Sequence, residues 1–172
     1  VGMNMGKLFG TSGVRGIVNE FLTPEIALKV GMATASVSKA IKALVARDTR
    51  VTGPLIEEAL IAGLEACGVN TCKIGVIPTP VLAYLTKTLV ADVGFMITAS
   101  HNPPQYNGIK IFDGDSLSYT DELQNAVEKR IAEGNFELAD WRAIGETTVS
   151  DETHRYLNLV KTAAKPKKNW RV

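Results

Sequence analysis

The chain is predicted to adopt an α/β fold: a three-layer α/β/α domain with a mixed, mostly parallel sheet and helices on both faces. Three observations predict it. Short apolar runs alternate with segments that repeat apolar residues at helical spacing, the pattern of a sheet built from strand and helix units. Residues 93–98 form an apolar run rich in β-branched and aromatic side chains, which suits a strand buried on both faces. The chain of 172 residues, 45% hydrophobic and 22% charged, is long enough for one domain with a substantial core.

Taken in order, residues 1–6 read as a flexible lead. Leu8-Phe9 starts a strand, and Gly10, Gly13 and Gly16 predict a loop with backbone N–H groups turned toward an anion. Thr23 is a good N-cap with Pro24 at the first helical position. Ile26, Val30, Ala33, Val37, Ile41 and Leu44 then recur at helical spacing and predict one long amphipathic helix. A second helix is expected over 54–67, capped by Gly68, and a strand over 71–77. Thr79-Pro80 caps a third helix through Leu85 and Leu89, which leads into the strand at 93–98.

Pro103 and Pro104 bias the residues before them toward extended backbone, so Ser100, His101 and Asn102 are expected on a stiff loop. Asn107-Gly108 reads as a tight turn into a strand over 109–112, with Lys110 pointing away from Ile109 and Ile111. Asp113-Gly114-Asp115 is read as a turn rather than a metal site. Thr120 caps a helix carrying Leu123, Val127 and Ile131, and Tyr156, Leu157 and Val160 suggest another. The domain is expected to span 7–160. Residues 161–172, which include the run from Lys165 to Arg171, read as a linker, with a basic nucleic-acid tail as the other reading.

The net charge of +1 gives no electrostatic case for nucleic acid, and no apolar run approaches the roughly 20 residues of a membrane span. No signal peptide is visible, so the cytoplasm is the expected compartment. The two cysteines, Cys67 and Cys72, are expected to pack as small apolar groups at a helix end and in a strand.

The chemistry is expected where the strand at 93–98 ends, because ligands in such sheets bind at the carboxyl ends of strands. There Ser100, His101, Asn102 and Lys110 bring together a hydroxyl, an imidazole, an amide and an ammonium. A serine hydrolase lacks support: the Gly-x-Ser-x-Gly elbow is absent and no carboxylate stands beside His101 to orient it. Neighbours in extended chain point apart, so His101 suits a group bound above both better than it suits Ser100. A hydroxyl that carries a phosphoryl group, with His101 and Lys110 handling protons and charge, accounts for the set. A polar turn between two strands is the alternative.

The words of the sequence bear on that choice. The stretch from Thr98 to Lys110, Thr-Ala-Ser-His-Asn-Pro-Pro-Gln-Tyr-Asn-Gly-Ile-Lys, resembles the active-site serine loop of the α-D-phosphohexomutases, the phosphoglucomutase/phosphomannomutase superfamily. Three further matches occur in order: Leu8-Phe-Gly-Thr-Ser-Gly-Val-Arg-Gly16, Arg47-Asp-Thr-Arg50 followed by Gly53, and Ile77-Pro-Thr-Pro80. The resemblance covers nearly the whole chain and only the first of the family's four domains. It implies a phosphoserine at Ser100, which also ligates Mg2+ through its phosphate, the other ligands being expected in the second domain. Arg15 would lie at the reacting phosphate, with hydroxyl contacts from Thr11 and Ser12. His101 and Lys110 would be the acid/base candidates, and Asn102 and Asn107 would hold the loop. Arg47 and Asp48 would support the serine loop more than touch substrate. At that run the sequence departs from the family, which has a fuller strand and a glycine before the arginine; a very short or distorted strand is therefore expected. The implied reaction interconverts hexose 1- and 6-phosphates through a bound hexose 1,6-bisphosphate, with the rest of the enzyme as partner. Glucose, mannose and glucosamine phosphates stay unseparated, because the sugar-selecting loop is expected in later domains. The rivals are a hydrolase or phosphatase using Ser100 and a standalone sugar-phosphate-binding domain.

Overall fold

The computed structural model describes residues 7–10 and 13–164. Its sheet is organised around β5 (Val93–Ile97), every residue of which is buried, as an apolar strand covered on both faces must be. On one side of β5 lie β3 (Lys42–Arg47), β4 (Asn70–Val76) and β7 (Thr147–Val149), joined by parallel pairings. On the other side β6 (Tyr106–Asp113), β2 (Gly13–Ile17) and β1 (Phe9–Gly10) pair antiparallel. The strand order is β1-β2-β6-β5-β3-β4-β7, a mixed sheet with a parallel and an antiparallel half.

Helices cover both faces, and the alternation of side chains along the strands shows why. Val45, Phe95, Ile97, Ile109 and Ile111 point into one core with α1 (Pro24–Ser38), α2 (Gly53–Ala66) and α4 (Asp121–Glu133). Leu44, Ala46, Met96 and Phe112 point the other way, into a second core with α3 (Thr79–Thr88) and Tyr156 of α5 (Thr153–Ala163). Cys67 and Cys72 are unpaired and pack at the margins of these two cores, on opposite sides of the sheet.

Several elements differ from expectation for local reasons. The first helix stops at Ser38, because Lys39 takes a left-handed conformation (φ 55°) and returns its N–H to Ala35 O. Ile41 and Leu44 therefore leave the helix, and the strand expected to be short or distorted is the six-residue β3. Its departure from regularity is a register shift between Val45 and Ala46. Asn107-Gly108 is not a turn: both residues lie inside β6, paired with Gly16 and Arg15 of β2. Gly13 and Gly16 likewise sit in β2 rather than in an anion-binding loop, and a Cβ on Gly13 would stand 2.2 Å from Ile109 O. Thr79 is the first residue of α3 rather than its cap, which is Pro78. Thr23 and Thr120 do cap their helices, accepting from the Ile26 and Leu123 amides at 3.2 and 3.4 Å. Asp113 to Leu117 is a turn, with Asp113 Oδ1 accepting from the Asp115 and Leu117 amides. Strand β7 was not anticipated, and α5 continues through Ala163, past the residue 160 expected to close the domain. Residues 1–6 and 165–172, with the lead and basic-tail readings attached to them, lie outside the described residues.

Candidate active site

Ser100 follows β5 by three residues, at the carboxyl end of the sheet, and its side chain is exposed. Its backbone is left-handed, with φ 56°, a region that residues other than glycine seldom enter. The extended loop expected from Pro103 and Pro104 is thus broken at the residue of most interest. Thr98 begins the explanation: its Oγ1 accepts the Ser100 N–H at 2.9 Å and donates to Asp48 Oδ2 at 2.6 Å.

Asp48 stands just beyond β3, where its amide bonds Ile97 O. Its carboxylate also takes the Arg50 N–H at 3.0 Å and Arg50 Nε at 3.2 Å. The Arg50 guanidinium then reaches across the sheet end. Nη1 donates to Pro103 O and Tyr106 O at 2.7 and 3.0 Å, and Nη2 to Ser100 O and Asn102 O at 3.0 and 2.7 Å. Arg50 and Thr98 were quoted only as parts of motifs in the sequence and not singled out. The available signal was a charged run directly after a strand, and nothing in that run says which arginine turns toward the serine.

The remaining candidates fall into three groups. Arg15 of β2 donates Nη1 to Asn102 Oδ1 at 2.8 Å, which ties the glycine-flanked arginine to the serine loop. Lys110 of β6 is half-buried; burial, and then the Arg15 charge, hold its ammonium below the ordinary lysine range. It also lines a cavity of about 300 Å³ with Gly13, Thr79, Ser118, Tyr119 and Gln124. His101 is exposed beside Ser100. Asn107 is fully buried and donates Nδ2 to Thr52 Oγ1 at 3.0 Å, which fastens β6 to the start of α2. Arg47 turns the other way, its Nε facing Glu57 of α2 at 3.3 Å, and it reaches the loop only through a long contact of 3.4 Å to Asp48 O. Thr11 and Ser12 lie outside the described residues.

A phosphate on Ser100 would project from the surface and could ligate a divalent cation. Among the described residues no group of three or more His, Cys, Asp or Glu side chains is placed to hold a metal. Nor is any described helix long and apolar enough to cross a membrane.

Residues 6–138 match the family described as phosphoglucomutase/phosphomannomutase, alpha/beta/alpha domain I. The chain belongs to that family. It is 45% identical over 154 residues to a Thermococcus kodakarensis protein named "Probable phosphoglucosamine mutase", which covers 90% of this chain and 34% of that one. A phosphoglucomutase/phosphomannomutase of the same organism is 43% identical over 162 residues, covering 91% of this chain and 36% of the relative. Among solved structures, a phosphoglucomutase/phosphomannomutase family protein of Burkholderia thailandensis superposes with a TM-score of 0.84 at 29% identity, over 94% of this chain and 37% of its own. The chain thus spans about a third of the length of the relatives it matches.

Proposed function

We propose that this chain is the phosphoserine-bearing domain of a phosphohexose mutase that interconverts hexose or hexosamine 1- and 6-phosphates. The observation that carries the proposal is Ser100: exposed, left-handed, and on a sheet-end loop whose Asn102 is held by Arg15, the cation whose charge also acts on Lys110. In the reaction proposed, a hexose 1,6-bisphosphate gives one phosphoryl group to Ser100. The Oγ–P bond forms, the sugar O–P bond breaks, and the serine proton leaves to a base, for which His101 and Lys110 are the candidates. Hexose 6-phosphate leaves when O1 was the donor. The phosphoserine then gives its phosphoryl group to the free 6-oxygen of an incoming hexose 1-phosphate, whose hydroxyl proton goes to the base, and the bisphosphate is regenerated, so that the net change is isomerisation.

Positioning and charge neutralisation dominate phosphoryl transfer, which suits a loop pinned by hydrogen bonds with the Arg15 guanidinium against it. Burial and the Arg15 charge lower the Lys110 pKa, which favours proton exchange by this residue relative to an ordinary lysine. Arg15, oriented by Asn102, is placed to neutralise phosphate charge, and Thr11 and Ser12 are proposed to add hydroxyl contacts. Mg2+, when bound, would neutralise charge on the transferring group, with the Ser100 phosphate as this chain's ligand. Residues 7–160 are proposed as the domain, 161–172 as the connection onward, and the cytoplasm as the compartment. The names of the relatives divide between phosphoglucosamine and phosphoglucose or phosphomannose, and both substrate classes enter the test.

The test is peptide mass mapping of the full-length protein after incubation with Mg2+ and a hexose 1,6-bisphosphate or its 2-amino counterpart, with Ser100→Ala alongside. One added phosphate on the Ser100 peptide, absent from the variant and accompanied by isomerisation, is expected. Free phosphate without isomer would move the protein to the phosphatases. Binding without covalent uptake would leave a sugar-phosphate-binding domain.

A further inference from the structure

We propose that Arg50 is the positioning residue of the site: it imposes the left-handed backbone of Ser100 and is not a ligand for substrate phosphate. The inference rests on the mutase reading for its kinetics, but not for its geometry.

A guanidinium has five N–H donors. Those of Arg50 are all spent: Nε on Asp48, Nη1 on Pro103 O and Tyr106 O, Nη2 on Ser100 O and Asn102 O. Arg15 differs, with only Nη1 engaged among the described contacts. A phosphate could recruit Arg50 only by breaking loop bonds, and each broken bond would leave a carbonyl at the loop's base without its donor.

The acceptors also identify the task. Four carbonyls within seven residues can converge on one cation only if the chain curls around it, and an extended run would carry successive carbonyls to opposite sides. Ser100 turns left-handed at the start of that curl. Thr98 completes the device: its hydroxyl accepts the Ser100 N–H and donates a hydrogen bond to the Asp48 carboxylate that also orients Arg50. The two peptide units that flank the Ser100 Cα are therefore both held, the N–H on one side by Thr98 and the C=O on the other by Arg50, which fixes φ and ψ together. Such strain persists only where its surroundings enforce it. Lysine cannot replace this fork, since its ammonium has three donors on one point.

The experiment is Arg50→Lys in the full-length protein, read in two ways. Rapid-quench mass spectrometry gives the rate of phosphoryl transfer to Ser100, and NMR gives the Ser100 Cα and Cβ shifts, which report its backbone conformation. The expected result is a loss of about 100-fold in kcat, the scale of a small misplacement of a reacting group, with KM for the hexose phosphate little changed and the Ser100 shifts moved toward extended values. A raised KM with kcat intact would make Arg50 a phosphate ligand and overturn the proposal; so would unchanged shifts. Should Arg50→Lys not fold, Thr98→Val and Thr98→Ser decide: slow transfer in the first and recovery in the second support the device, and equal rates overturn it. If the wild-type protein takes up no phosphate, the mutase reading fails, and the NMR shifts of the same variants still decide the role of Arg50.

Discussion

Lys110 shows how little the neighbours of a side chain need to do to change its chemistry. Burial disfavours its ammonium most, and the Arg15 charge adds to that, so the folded pKa lies below the ordinary value. The penalty on the folded state is therefore present while the lysine is charged and is relieved as pH rises through the depressed pKa. Arg15→Gln removes the second cause and leaves the first. The Lys110 pKa should rise but stay below its unfolded value, a change that a 13Cε titration by NMR would follow; no rise would mean that the two charges do not interact. Val90 is the opposite case, a strained residue without a chemical task. It sits just past α3 with φ 52°, it is 82% exposed, and its N–H bonds Lys87 O. A β-branched residue is poorly suited to that conformation and glycine is the usual occupant, so Val90→Gly should stabilise the chain by about 1 kcal/mol in urea unfolding. A destabilised variant would contradict this. At this scale the sequence displayed the reactive groups of Ser100, His101 and Lys110 but not what holds them. The Arg50 fork depends on carbonyls of residues 100–106, and carbonyl directions leave no mark in residue types.

Among the elements, α1 and α2 cross unusually closely. A Cβ on Gly63 would stand 2.1 Å from Leu28 O, and one on Gly31 would stand 2.4 Å from Leu60 O. The atoms in the way are backbone, so no rotamer change relieves the clash. Gly63→Ala should cost about 1–3 kcal/mol by forcing the helices apart, despite the gain in helix propensity. Denaturant unfolding would show it as a lower midpoint at unchanged slope; an unchanged midpoint would mean that the crossing adjusts freely. Where the elements were legible, a single local rule decided them: Thr23 with Pro24, Thr120, and Gly68 at φ 80° each mark a helix end. Where they were not, two rules competed. Ile41 and Leu44 continue the spacing of the helix, yet Leu44 is buried in β3 and Ile41 is 71% exposed, because the left-handed turn at Lys39 resets the phase. Asn107-Gly108 carries the strongest short hairpin signal and nevertheless lies within β6. There Gly108 is required by crowding: a Cβ would stand 2.7 Å from Thr98 O and Val14 O, so the glycine serves close strand packing. The β7 strand is exposed at every residue and owes its existence to pairing with β4, which no periodicity announces.

At the scale of the molecule, the two halves of the sheet have different tasks. The parallel half brings Asp48 and Thr98 to one end, from neighbouring strands, as parallel pairing of β3 and β5 dictates. The antiparallel half brings Arg15 and Lys110 to the same end through β2 and β6. The contact of Arg15 with Asn102 of the serine loop makes the mixed topology a condition of the proposed chemistry, since an all-parallel sheet would place β2 and β6 in the wrong sense. In the proposed enzyme this assembly would be one side of a reaction centre. The described residues supply no acidic cluster for a metal, and the chain spans 34% of its Thermococcus kodakarensis relative. The 172-residue chain by itself is therefore expected to unfold in one cooperative step, since both cores share one sheet, and to show no isomerisation of hexose phosphates above background. Calorimetry and a coupled assay on material cleared of host mutase would check both halves of this expectation. Turnover would show that the serine loop with its two cations is a sufficient site, and the mechanism would then have to be rewritten around the residues of this domain alone.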